Sequence, residues 1–146
     1  MTVRISMFEA YLIETIRSKG MDSQQLLDLV KQSDYEQLNQ FDDTFDYQIL
    51  TDAYKDHPEI IEKAITEEYK VKFVTQPGIK RFLGLKFDFE EGKDFQMIDD
   101  KFTNIHFTAE QLSQFTTLLS ANWKISKKEE TEDGKQIVDI RLSVHQ

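Results

Sequence analysis

The sequence predicts an α+β fold: an N-terminal cluster of short helices followed by antiparallel β-hairpins packed with one amphipathic helix. Three observations predict it. The first seventy residues carry a succession of helix-capping signals, each followed by apolar residues three and four apart. Later in the chain, apolar and polar residues alternate around Glu91-Gly92-Lys93 and around Asp133-Gly134. Between those stretches, Thr108 and Gln111 open one further helical pattern. The expected division is a helical region, 1–70, and a mixed region, 71–146, as two small domains or one continuous domain. Thr75-Gln76-Pro77-Gly78 is the strongest break.

Ser6 and Glu9 have the spacing in which each side chain satisfies a backbone N–H at a helix start. Ile5, Phe8, Leu12 and Ile16 recur on one face of that helix, and Gly20 suits its left-handed end. Asp22 with Gln25 predicts a second start, before Leu26, Leu27 and Val30. Ser33 with Glu36 predicts a third, before Leu38 and Phe41. A fourth helix would carry Phe45, Ile49, Leu50 and Ala53. Asp56 with Glu59 would cap a fifth, with Pro58 in its first turn and Ile60, Ile61, Ala64 and Ile65 as its buried stripe.

In the mixed region, Leu85, Phe87 and Phe89 read as a strand, Glu91-Gly92-Lys93 as a turn, and Phe95 and Met97 as the returning strand. Thr108 and Gln111 cap a helix reaching Ala121, with Leu112, Phe115, Leu118 and Leu119 on one face. Trp123 and Ile125 then face Val138, Ile140, Leu142 and Val144 across a two-residue turn at Asp133-Gly134. Leu142 is thereby expected in the core and Arg141 outside it.

Composition narrows the chemistry. Cysteine is absent from the 146 residues, which excludes disulfides, thiolate nucleophiles and zinc sites that need Cys. The opening residues place Glu9 where a secretion leader would have its apolar run, and no apolar stretch approaches the ~20 residues a membrane helix needs. The chain is therefore read as cytoplasmic, with no membrane partner. The net charge is −9 and uneven: residues 1–60 hold 12 acids and 5 bases, whereas residues 61–86 hold 3 acids and 6 bases.

Each candidate site has a plainer counterpart. His57, His106 and His145 are too scattered for a metal site, and no metal or cofactor is expected. Asp88, Glu90, Asp94 and Asp99 fall at calcium-loop spacing, but Lys93 stands where that loop needs glycine, so an acidic hairpin face is the reading adopted. The pairs Asp42-Asp43, Asp99-Asp100 and Glu129-Glu130 read as solvated acids. No phosphate loop or nucleophile elbow is present, so no residue pattern points to catalysis; a small-molecule enzyme, the reading kept open, would need a deep pocket with convergent polar groups.

The segment 70–86 carries five bases and no acid: Lys70, Lys72, Lys80, Arg81 and Lys86. Around Thr75, Ile79 and Leu83 it resembles the turn and second helix of a helix-turn-helix, which makes these residues candidate contacts for nucleic acid or another partner. Eight of the 11 phenylalanines lie between Phe73 and Phe115; lacking a polar group, most are expected in the core, and any surplus left outside it would form an apolar patch. The leading expectation is a small non-enzymatic binding or regulatory domain that engages another protein, with nucleic-acid binding through segment 70–86 and a small-molecule enzyme of unrecognised type as the alternatives.

Overall fold

A computed structural model describes residues 2–143, which places Val144 and His145 outside the described residues. The fold is α+β, and the chain divides into two compact units, Met1–Lys72 and Phe73–Gln146.

The first unit runs β1 (Val3–Ile5), α1 (Met7–Ser18), α2 (Ser23–Lys31), α3 (Tyr35–Phe41), α4 (Gln48–Asp56), α5 (Pro58–Thr66) and β2 (Tyr69–Val71). Ile5 belongs to a strand rather than to the first helix. β1 and β2 pair in parallel, Val3 with Tyr69 and Ile5 with Val71, and the Lys72 N–H donates to the Ile5 carbonyl at 2.8 Å. This short pair ties the two ends of the unit together, and five helices form the crossover between its strands.

Local chemistry sets the helix limits. At Ser6 the reciprocal cap is complete: Ser6 Oγ accepts from the Glu9 N–H at 3.1 Å, and Glu9 Oε1 accepts from the Ser6 N–H at 2.9 Å. Gly20, with φ of 108°, follows α1 in a backbone conformation that residues with a side chain rarely adopt. Asp22 caps α2 by accepting from the Gln25 N–H. The third start lies one residue later than Ser33. Ser33 itself takes φ of 57°, and the Asp34 N–H donates to the Leu29 carbonyl, so Ser33 ends α2 while Asp34 caps α3. Asp56 does not cap α5. It is the last residue of α4, and His57 joins the two helices without a side-chain cap. Ile61, Ala64 and Ile65 are buried as expected, but Ile60 is exposed.

The second unit runs α6 (Gln76–Phe87), β3 (Gln96–Ile98), β4 (Lys101–Phe107), α7 (Ala109–Leu118), β5 (Trp123–Glu130) and β6 (Gln136–Leu142). Its antiparallel sheet has the order β3-β4-β6-β5. Residues 85–87 are helical, not a strand. Thr75 caps α6, and Ile79, Phe82 and Leu83 bury one helical face, which overrides the short alternation at Leu85, Phe87 and Phe89. The first hairpin is accordingly β3–β4. Asp88, with φ of 60°, reverses the chain so that Phe87 and Phe89 both reach Phe107, at 5.7 and 5.8 Å between ring centres. Phe107 also meets Phe115 of α7 at 5.6 Å, so this aromatic cluster joins both helices to the sheet.

The β5–β6 hairpin forms with Trp123 opposite Leu142 and Ile125 opposite Ile140. Its turn is longer than two residues. The Gly134 N–H donates to the Thr131 carbonyl at 3.0 Å and the Thr131 N–H to the Lys135 carbonyl at 2.8 Å, leaving Glu132, Asp133 and Gly134 as the loop. Gly134 has φ of 87° and Asp133 stays at negative φ, the pattern of a three-residue loop ending in a left-handed glycine. Val138 and Ile140 are fully buried, whereas Leu142 is half-buried at the strand's end.

Gly134→Val is expected to destabilise the second unit by about 1–2 kcal/mol, because a β-branched residue resists positive φ. Ile140→Asp should unfold that unit, whereas Arg141→Asp, on the exposed side of β6, should cost less than about 0.5 kcal/mol. Urea unfolding of the three variants checks this; equally mild effects of Ile140→Asp and Arg141→Asp would remove the hairpin from the core.

Candidate functional site

The basic candidates do not converge on one element. Lys70 lies in β2 and Lys72 just after it, in the first unit, while Lys80, Arg81 and Lys86 ride on α6 in the second. Lys80 is engaged by Glu91 at 3.0 Å. A helix-turn-helix needs a helix before its turn, and the strand Tyr69–Val71 occupies that place. Tyr69 and Val71 are buried against the rest of their unit, which favours extended backbone over another helical turn.

The acidic candidates also separate. Asp88 closes α6, Asp94 accepts from the Glu90 N–H at 2.8 Å, and Asp99 sits at φ of 56° between β3 and β4. Among the described residues, no group of His, Asp and Glu is placed to hold a metal ion. No helix of the described residues is long and apolar enough to cross a membrane. A shallow hollow at the α4–α5 junction is lined by His57, Pro58, Glu59 and Ile60.

The phenylalanines between Phe73 and Phe115 lie mostly in the core, as their lack of a polar group predicts. Phe82, Phe95, Phe102, Phe107 and Phe115 are buried, and of the eight between Phe73 and Phe115 only Phe73, at 59%, is largely exposed. The rings left at the surface of the first unit are instead Phe8, 40% exposed, and Phe41, 42% exposed. Phe8 had the spacing of a core residue. The buried residues of α1 begin at Ala10, and Phe8 stands in the first turn, outside the packed part of the helix.

Phe8 belongs to a surface cluster. Its ring meets Phe45 edge-on at 5.4 Å, Tyr11 stacks with Phe45 at 6.5 Å, and Tyr47 meets Phe45 at 6.4 Å. Phe8 and Tyr11 come from α1. Phe45 comes from the α3–α4 connection, Asp42-Asp43-Thr44-Phe45-Asp46-Tyr47, and not from a helix as its spacing predicts.

That connection is held by a carboxyl group withdrawn from water. Asp42 is 7% exposed. Its oxygens accept from the Thr44 N–H at 3.1 Å, the Thr44 hydroxyl at 3.0 Å and the Tyr47 hydroxyl at 2.5 Å, and Lys19 Nζ lies 3.8 Å away. Asn39 Oδ1 accepts from the Tyr47 N–H at 2.8 Å, and Asp46 Oδ1 accepts from the Gln48 N–H at 3.1 Å. Asp42, Thr44, Asp46 and Tyr47 thus each place a side-chain atom in the hydrogen bonds that shape the loop. Asp43 and Asp46 are exposed and Phe45 is half-buried.

Burial by itself raises the Asp42 pKa; the hydrogen bonds from Tyr47 and Thr44 and the charge of Lys19 outweigh it and hold the carboxyl below its ordinary 3.8. Burial and Asp42 push the Tyr47 phenol upward, with Asp43 adding its charge from nearby. A second buried carboxyl has the same company. Glu14, 3% exposed, accepts from the Tyr69 hydroxyl at 2.6 Å and from Arg17 at 3.0 Å. Burial first, then Glu14, raises the Tyr69 phenol well above its ordinary 10.0. Arg17 also donates to the Ile65 carbonyl and to Ser23 Oγ, which connects α1 with α5 and α2.

A third polar constellation lies on the open face of the second unit's sheet. Residues Thr103 and Asn104 oppose Asp139 as a bulge in β4, and Lys128 is the extra residue of a bulge in β5. Asn104 takes φ of 56°; its N–H donates to Asp139 at 3.1 Å, and its amide oxygen accepts from Lys128 Nζ at 2.9 Å. These contacts close one bulge against the other.

Asp42→Ala leaves the Tyr47 hydroxyl and the Thr44 N–H without their acceptor, at an expected cost of about 1–3 kcal/mol. A carboxyl whose pKa is lower folded than unfolded stabilises above its unfolded value and loses that contribution as the pH falls through its folded value. The stability gap between wild type and Asp42→Ala should therefore hold at pH 6 and close below pH 3.8 in denaturant titrations. The tyrosines act at the other end. Tyr47 and Tyr69 have raised pKa values, so stability is intact below pH 10.0 and falls as the pH climbs above it. Phenolate absorbance should show a late step coincident with loss of helical signal, reduced in Tyr69→Phe.

In comparisons with known proteins, no family model, curated protein or solved structure matches this chain.

Proposed function

We propose that this chain is a non-enzymatic binding domain that engages another protein through the Phe8–Tyr11–Phe45 surface of its first unit. The observation that carries the reading is the way Phe45 is presented. A buried carboxyl, a buried tyrosine and an asparagine side chain fix the connection between α3 and α4, and the ring they position is left half-buried beside the exposed Phe8. Phenylalanine has no polar group to repay exposure, and rigid aromatic rings lose little conformational entropy when a partner covers them. Exposed apolar patches on a folded unit mark binding surfaces more often than single exposed residues do.

The fixed loop also fits a recognition role better than an acid–base one. Asp42 is committed to Tyr47, Thr44 and Lys19, so its oxygens serve the loop and not a substrate.

A photo-crosslinking residue in place of Gln40, exposed at the C-terminal end of α3, tests the reading in native lysate. A specific adduct should be competed away by excess unlabelled wild type and not by Phe8→Ser or Phe45→Ser. Equal competition by both variants would remove the aromatic cluster from the binding surface.

A further inference from the structure

We infer that the occupant of the Phe8–Tyr11–Phe45 surface is a basic segment of its protein partner, with an arginine or lysine side chain laid against the rings and its charge met by Asp43 and Asp46. The inference rests on the binding reading above and adds the chemistry of the partner. The first argument is charge. The first unit holds 15 acids and 8 bases, a net charge of −7, against −2 for the second. Within the unit, Arg17 is engaged by Glu14, Lys19 by Asp42 and Lys31 by Glu62. Lys19, the base that reaches the loop presenting Phe45, is thus spent on the buried carboxyl.

The second argument is local. The loop that presents Phe45 contains three acids and no base in six residues. Asp42 is turned inward, while Asp43 and Asp46, which flank Phe45 closely in sequence, are exposed. Asp43 also adds its charge to the groups that push the Tyr47 phenol upward. An aromatic face carries negative partial charge, so rings beside carboxylates attract a cation while offering its aliphatic stem an apolar bed. Guanidinium suits the pair best, being weakly hydrated and able to stack. A second copy of the chain is a poor occupant, because a symmetric contact would set Asp43 and Asp46 against their own equivalents.

The test uses the full chain and fluorescent synthetic peptides of about 15 residues in three versions. One alternates arginine with leucine, one replaces arginine by glutamine, and one replaces it by glutamate. Anisotropy titrations are expected to show binding of the arginine peptide alone, weakened about tenfold or more between 50 and 300 mM salt as screening predicts. Asp43→Lys, whose side chain holds no part of the loop, should weaken it about tenfold, and Phe45→Ser, which leaves every charge in place, by a similar factor. Phe8→Ser, on α1, gives the same reading should Phe45→Ser disturb the loop. If the glutamine peptide binds as well as the arginine peptide and Asp43→Lys changes nothing, while Phe45→Ser and Phe8→Ser abolish binding, the basic partner is overturned and the aromatic surface stands. If arginine-peptide binding survives both ring variants, it is general attraction to an acidic protein, and the site itself is overturned.

Discussion

The first unit is organised around carboxyl groups that have left water. Removing such a group from solvent costs several kcal/mol unless donors replace the lost hydration. Asp42 meets that demand with two donors from Thr44, the phenol of Tyr47 and the ammonium of Lys19. The consequence is geometric. Satisfying one carboxyl ties the end of α3 and the start of α4 to Lys19 at the end of α1, and Phe45 lies on the connection so held. The same hydrogen bonds account for the opposed pKa shifts: the carboxyl is held in its charged form and the phenol in its neutral one.

Glu14 repeats the device deeper in the unit. It too pairs a buried carboxyl with a tyrosine hydroxyl and a base from α1, and Tyr69 sits on the strand that closes the unit against β1. The α1 segment and its C-cap therefore supply Glu14, Arg17 and Lys19, and reach α2 through Ser23, α5 through Ile65 and the α3–α4 loop through Asp42. The interior polar groups specify which short helices meet, a selection that apolar burial alone does not make, since it is indifferent to direction. Short helices need this, because none is stable by propensity alone.

Local signals in the sequence were readable where the physics is local. Ser6 with Glu9, Thr108 with Gln111 and Pro58 act within one helical turn, and each occupies the position its spacing indicates. The alternation after Trp123 gave the β5–β6 hairpin for the same reason. What failed depends on distant partners. The strand pair β1–β2 joins residues more than sixty positions apart, and nothing in Tyr69-Lys70-Val71 distinguishes it from the end of a helix. Leu85, Phe87 and Phe89 alternate like a strand, yet the cap at Thr75 and the buried row of Ile79, Phe82 and Leu83 carry α6 through to Phe87. The candidate site was illegible for a related reason. Asp42 next to Asp43 looks like a solvated pair, and only the tertiary position of Tyr47 and Lys19 reveals that one of the two is buried. The exposed Phe8 was equally illegible, because its helical spacing with Leu12 and Ile16 is that of a core residue.

The claim on which the functional reading depends is that the Asp42 carboxyl holds Phe45 against Phe8. Aromatic proton nuclear Overhauser effects measure that contact directly. Cross-peaks between the Phe8 and Phe45 rings should be present in the wild type, as ring centres 5.4 Å apart require. They should vanish in Asp42→Ala while the methyl signals of Leu12, Ile13 and Ile16 keep their native positions. Unchanged Phe8–Phe45 cross-peaks in Asp42→Ala would show that the ring is placed by its own packing, and would contradict the account.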